Sequence, residues 1–310
     1  MTGNSNIETA LAALLENLEQ KYPICCASIR DARAKDPEAF LDVGQIALAG
    51  ALHCFPDKTV EDLGAWYAEF TVEQNRLQRS YDKTGSYPCR NHGDANEAVY
   101  QSDESMGQYM ASMLLTEFLW PHHLEIFEFY RKEFIANYSG IGKSMLEIAP
   151  GHGLLGRVLM EKCPQSTLTG VDISPFAVKM SRRMAAMHPQ VHGATYEVGD
   201  GVRWEAEKSY DLIVAGELLE HLDRPELLIQ TIRRCLKPGG RAFVTAAITA
   251  AQMDHVTEFK SPEEVVELIT SGGLEIETSL VAQPRVVRAG STRIPRVMAA
   301  IVRVAEPVSV

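Results

Sequence analysis

One stretch constrains this chain more than any other: Met145-Leu-Glu-Ile-Ala-Pro-Gly151-His-Gly153-Leu-Leu-Gly156. A short apolar run that carries one carboxylate and then breaks into glycines is how a buried strand turns abruptly into a helix. Gly151 and Gly153 permit backbone angles that a Cβ forbids, so the main chain can turn sharply and lie against a ligand. The helix that follows aims its free N–H groups at the same place. The G-x-G-x-x-G spacing alone is shared by several nucleotide-binding folds, so its neighbours must decide the case.

Beyond Gly140, short β-rich runs alternate with helical segments, the signature of a parallel sheet with crossover helices. The pattern predicts strands at 144–149, 167–172, 194–198, 210–215 and 241–247, with helices near 154–162, 175–187 and 225–236. A helix at 262–271 precedes Leu274–Val281 and Arg296–Val304, which a polar segment without helical pattern separates. These two runs are read as an antiparallel pair at the end of the sheet. The fold class is therefore α/β, with seven strands, mostly parallel.

The first part of the chain reads differently. From Ile7 to about Tyr138 apolar residues recur at helical spacing, as in Ile7, Leu11, Leu14, Leu15 and Leu18. Helices are expected through 7–20, 37–53, 59–79, 103–119 and 122–137, with Asp36-Pro37 and Pro121 supplying starts. Between the third and fourth lies Asp82–Asp94, rich in turn formers, which is read as a loop and equally well as a lid. The division expected is an all-helical region over 1–139 and an α/β domain over 140–310.

A formal net charge of −11 argues against a chain whose main partner is nucleic acid, which calls for a basic face. The six cysteines show no C-x-x-C pairing, and adjacent Cys25 and Cys26 do not suggest a disulfide, so a reduced cytoplasm is expected. The N-terminus lacks a basic start, and nowhere do about 18 apolar residues follow one another. Neither export nor a membrane span is expected.

In an open α/β sheet the ligand sits outside the carboxyl ends of the strands, so residues at those ends belong together. The first strand ends in Glu147 and the glycine turn. The second, Leu168-Thr-Gly-Val-Asp172-Ile173, ends in a carboxylate about 20 residues further on, the spacing at which an acidic side chain meets ribose hydroxyls. The third ends in Asp200-Gly201, the fourth runs into Glu217-Leu-Leu-Glu220-His221, and Lys237-Pro-Gly-Gly240 introduces the fifth.

This series resembles the class I S-adenosylmethionine-dependent methyltransferases over residues 140–304. The resemblance implies a Rossmann-like sheet, S-adenosylmethionine as cofactor with S-adenosylhomocysteine as product, and methyl transfer to a small-molecule acceptor at oxygen or nitrogen. It implies that Glu147, Ala149, Gly151 and Gly153 wrap the methionine part and that Asp172 binds the ribose. Ile173 would lie against the adenine, Asp200 and Gly201 at its edge, and Glu217 on the floor near the methionine. Ala149 departs from the family's usual glycine, and its methyl group is accommodated if the residue has negative φ. The extra N-terminal helices imply a cover that binds the acceptor. Nucleic acid and membrane are not expected as partners; a homodimer is compatible with the chain.

Other readings stand beside these. Asp172 and Asp200 also suit helix caps. Glu217, Glu220 and His221 fall at i, i+3 and i+4, so a helix would present them on one face. There they could be a solvated helix start, His221 could be a general base, since an imidazole's ordinary pKa of about 6.5 suits proton removal, or the three with distant His255 could bind a divalent cation. In Met106–His123, mostly core packing, Tyr109, His122 and His123 are candidates for the acceptor pocket, with Tyr109 and His123 also placed in the catalytic set. Arg90 and His92 could meet an acidic acceptor; Tyr67, Tyr81 and Tyr100 are further candidates. The competing cofactor is NAD(P), whose G-x-G-x-x-G spacing is met literally, and a binding-only regulator is the third class.

Overall fold

The computed structural model describes residues 2–89, 91, 102–188, 193–287 and 290–306. They form two compact units, neither a single continuous stretch. The first comprises Met1–Glu128, Ala250–His255 and Ala282–Arg296; the second comprises Phe129–Thr249, Val256–Val281 and Val297–Val310.

The first unit is helical: α1 Thr2–Lys21, α2 Pro23–Lys35, α3 Pro37–Cys54, α4 Val60–Thr84, α5 Asp103–Leu119 and most of α6, Pro121–Phe129. Local chemistry sets the starts. Asp36 caps α3 by accepting from the Ala39 N–H at 3.0 Å with Pro37 in the first turn, and Thr59 with Asp62 makes a reciprocal capping box on α4. Helix α2 was not among the expected elements. Its buried Cys25, Ile29 and Ala32 recur at i, i+4 and i+7, and Pro23 opens it with only Tyr22 between it and α1.

Helix α4 runs through Asp82, Lys83 and Thr84, where the sequence pattern predicts a loop, and closes on Gly85 at φ 72°. Asp82 is instead an anchor: its carboxylate accepts from Ser291 Oγ (2.9 Å), Thr292 N (3.2 Å) and Arg293 N (3.0 Å). Of the remaining expected loop, Arg90 and residues 92–94, His92 among them, lie outside the described residues, as does Tyr100.

The second unit holds β1 Ser144–Ile148, α7 Leu154–Glu161, β2 Thr167–Asp172, α8 Pro175–Ala186, β3 Ala194–Val198, β4 Tyr210–Ala215, α9 Pro225–Cys235, β5 Leu236–Ile248, α10 Pro262–Ser271, β6 Leu274–Ala282 and β7 Arg296–Val304. They form one seven-stranded sheet in the order β3-β2-β1-β4-β5-β7-β6, mostly parallel with antiparallel last strands. The inner strands are apolar on both faces, as a helix-covered parallel sheet requires, and Leu146, Ile148, Val171, Ile213, Val244 and Ile248 are all at most 1 % exposed. The chain leaves β1 toward β2 and β3 on one side and returns to β4 and β5 on the other. That reversal opens a crevice at the carboxyl ends of β1 and β4, the place where α/β sheets bind ligands.

Before β1, Tyr130–Ile135 wind as a π-helix, with Ala136 N–H reaching Arg131 O. Tyr130 and Phe134, stacked 5.6 Å apart and fully buried, pack with Phe243 of β5, and Tyr130 donates a hydrogen bond to Leu155 O (3.0 Å). No disulfide joins cysteines among the described residues. Among the described residues no helix is long and apolar enough to cross a membrane.

Candidate functional site

The glycine turn is pinned from two sides. Asp172, at the end of β2, accepts from Gly151 N at 3.1 Å through Oδ2 and from Ser174 N at 2.9 Å through Oδ1. Burial pushes its carboxyl group up from the ordinary range, and the two amides pull it back. On the other side, Ser181 of α8 donates from Oγ to Gly151 O at 3.0 Å. Gly151 and Gly153 both have positive φ (55° and 74°), and a Cβ on Gly153 would lie 2.8 Å from Ser181 Cα, so only glycine fits there.

Glu147 stands behind the turn rather than in it. It is 2 % exposed and accepts from Gly156 N at 2.9 Å through Oε1, while Oε2 is buried without a hydrogen bond. Burial pushes this carboxyl group up to about 8; the Gly156 amide lowers it and the Asp172 charge adds a smaller rise. A Cβ on Gly156 would collide with the Glu147 carboxylate. His152 Nδ1 accepts from Leu154 N at 3.2 Å. Two N–H groups of the first turn of α7 are thus satisfied by the chain's own side chains.

Three non-glycine residues in left-handed backbone cluster at one edge of the sheet: Ala149 after β1 (φ 53°), Glu217 after β4 (φ 46°) and Thr249 after β5 (φ 50°). Ala149 therefore does not meet the condition of negative φ under which its methyl group is accommodated. Its amide donates to Val171 O at 2.8 Å, which holds the residue down against β2 in this conformation. Such strain costs about 1–2 kcal/mol per residue and persists where surrounding contacts over-determine the backbone. Ala149→Gly should relieve it and, after the extra chain entropy of glycine, stabilise the protein by about 0.5–1 kcal/mol. Urea unfolding checks this; an unchanged or lower midpoint would refute it.

The Glu217–His221 segment does not form the helix that would present Glu217, Glu220 and His221 on one face. Leu219–His221 form a single 3-10 turn, because Glu217 leaves the helical region before it and Leu222 is extended after it. Glu220 is fully buried, and its backbone carbonyl accepts from Val256 N and Thr257 N, each at 2.9 Å; His221 is half-buried. Along the same edge Ile173 is 49 % exposed, a large apolar side chain open to a ligand. Asp200 is exposed and accepts from Val202 N at 3.0 Å, the cap anticipated for it, while Gly201 is buried. His255 belongs to the Ala250–His255 run of the first unit.

Thr245 escaped the sequence reading. It is 2 % exposed on β5, where its hydroxyl accepts from Glu217 N at 2.6 Å and donates to Glu217 Oε1. The signal was present in Ala242-Phe-Val-Thr-Ala-Ala-Ile248, one hydroxyl in an otherwise apolar buried strand. A buried hydroxyl must find a partner.

In the helical unit, Tyr109 OH donates to Asp254 Oδ2 at 2.9 Å, and its ring meets Phe70 edge-on at 5.9 Å. Phe70 stacks on Trp120, which packs with His122 (5.5 Å) and His123 (4.9 Å). Thr116 spends its one hydroxyl hydrogen on Met113 O (2.6 Å), so in its bond with His123 Nδ1 (2.9 Å) it accepts. His123 therefore donates from Nδ1 in that bond. Burial, then His123, then Lys35 hold His122 well below the ordinary imidazole range. Tyr67 and Tyr81 are core residues, 0 % and 1 % exposed.

Residues 146–242 match a family model described as a methyltransferase domain. The malonyl-[acyl-carrier protein] O-methyltransferase of Halalkalibacterium halodurans is 31 % identical over 99 residues, 32 % of this chain and 36 % of that protein. The mitochondrial ubiquinone biosynthesis O-methyltransferase of Schizosaccharomyces pombe is 24 % identical over 132 residues, 42 % of this chain and 47 % of the relative. The chain thus spans less than half the length of these curated relatives. Among solved structures, phosphoethanolamine N-methyltransferase 2 of Haemonchus contortus, in complex with S-adenosyl-L-methionine, superimposes with a TM-score of 0.53 at 16 % identity, covering 71 % of this chain and 61 % of that one, and shares the fold. Residues 146–242 of the second unit thus match a methyltransferase domain, on a sheet of the Rossmann-like fold that the solved structure shares.

Proposed function

We propose that this protein transfers a methyl group from S-adenosylmethionine to a small-molecule acceptor, at oxygen or nitrogen. The observation that carries the reading is the state of the glycine turn. A dinucleotide places its pyrophosphate against free amides at the helix N-terminus. Here Glu147 and His152 already accept from Gly156 and Leu154, and a buried carboxyl group occupies the rear of the turn. That setting disfavours NAD(P) and suits a cofactor without phosphate.

The residues present fit such a cofactor. A carboxylate has about four lone-pair sites, and Asp172 uses two on amides, leaving the others for ribose hydroxyls. Ile173 offers the adenine an apolar face, with Asp200 and Gly201 at its edge. Gly151 and Gly153 bring bare backbone to the methionine part, and the Glu217 carboxylate complements its ammonium group. When bound, the cofactor supplies an electrophilic methyl group on sulfur. The chain contributes placement and water exclusion, which suffice for much of an in-line displacement.

A hydroxyl acceptor needs a proton removed, and O-methyltransferase relatives support oxygen. His221 of the second unit is one proposed base; within the first unit His123, and Tyr109 held by Asp254, are the other proposed catalytic residues. Isothermal titration with S-adenosylhomocysteine and NAD(H), followed by labelled methyl transfer to phenolic and carboxylic acids, tests the proposal. Binding of NAD(H) without S-adenosylhomocysteine would overturn it.

A further inference from the structure

We infer that Thr245 is a positioning residue of the cofactor site, acting through Glu217; this rests on the cofactor reading above. In the sheet, Val244 of β5 lies opposite Ala215 of β4, so Thr245 falls beside Gly216 as β4 ends and its side chain reaches the next residue. There its hydroxyl does two things at once. It accepts from the Glu217 amide at 2.6 Å and donates its hydrogen to Glu217 Oε1. One oxygen atom therefore ties the backbone and the carboxylate of the same residue into a closed ring.

Glu217 needs such a tie. Its φ of 46° is a conformation that a non-glycine residue leaves unless it is held, and the residue stands at the carboxyl edge beside the β1/β4 crevice. A glutamate on a strand end has several rotamers and two backbone wells available. Thr245 selects one of each before any ligand arrives, and so presents the carboxylate ready for the cationic end of the cofactor's amino-acid part. Recognition groups held in place before binding lose less entropy when the ligand comes. The hydroxyl is buried at 2 % exposure on a central strand, so water does not substitute for it.

The test uses the full-length protein and S-adenosylhomocysteine titrated by calorimetry, with thermal unfolding measured in parallel. Thr245→Val keeps the β-branched shape and deletes both bonds; Thr245→Ser keeps the hydroxyl and deletes a methyl group. Thr245→Val should weaken binding about 10-fold, and Thr245→Ser should stay within about 2-fold of wild type. Serine rescue separates the hydroxyl from packing. Wild-type affinity in Thr245→Val, or equal losses in both variants, would overturn the assignment to Thr245 alone. Failure of the wild-type protein to bind S-adenosylhomocysteine would instead refute the cofactor reading and this role with it.

Discussion

Asp172→Ala should weaken S-adenosylhomocysteine binding at least about 100-fold, a change of about 2.7 kcal/mol. Two losses add. The first is direct: hydrogen bonds from ribose hydroxyls to a charged acceptor are worth about 1.5–3 kcal/mol each. The second is conformational. Asp172 is 7 % exposed and is the acceptor for both Gly151 N and Ser174 N, so alanine leaves two amides without partners at the turn that must receive the ligand. Each orphaned amide costs about 1–3 kcal/mol, which the turn escapes by moving. Asp172→Asn separates the contributions, because its carbonyl oxygen still accepts from one amide while the charge is gone; it should fall between wild type and alanine. Calorimetric affinities for the three proteins decide the matter. An alanine variant within about 3-fold of wild type would remove Asp172 from the site.

Much of that edge was legible in the sequence because position along a parallel strand dictates position in space. Gly151, Asp172, Asp200 and Glu217 follow four strands whose carboxyl ends share one edge, and the strands themselves were marked by apolar runs of the right length. The reading failed where backbone conformation or a distant partner decides. Ala149 has positive φ because its amide is drawn to Val171 O, a contact between two strands that no local pattern announces. The Glu217–His221 spacing suits a helix, yet Thr245 holds Glu217 in a left-handed conformation from another strand and leaves one 3-10 turn. Glu147 belongs to the most informative motif in the chain, and the resemblance places its carboxylate against the methionine part of the cofactor. Only the bond to Gly156 N shows that it serves the helix behind the turn.

That placement gives Glu147 the second large effect, a dependence of stability on pH. Its carboxyl group titrates at about 8 in the folded protein against 4.5 when unperturbed, with Asp172, Tyr130 and Tyr196 as its titratable neighbours. Between those values the folded chain holds the proton and the unfolded chain has released it. The folded state binds more protons there, so stability is highest below about 4.5 and falls as pH rises toward about 8. A span of this size corresponds to about 4–5 kcal/mol. Glu147→Gln is nearly isosteric, keeps an acceptor for Gly156 N and cannot ionise. The protonated wild-type carboxyl has one O–H and no partner at Oε2, whereas the amide NH2 puts two unpaired donors there, so at pH 5 the variant should be the less stable protein by about 1 kcal/mol. At pH 8.5 the wild type has lost its advantage, and the variant should equal or exceed it. Urea unfolding of both proteins without cofactor, at the two pH values, reads the difference directly, and the other titrating groups cancel in the comparison. A stability difference that stays constant between pH 5 and 8.5 would mean that Glu147 is ionised in the fold, and the rear of the turn would then carry a full negative charge against the N-terminus of α7.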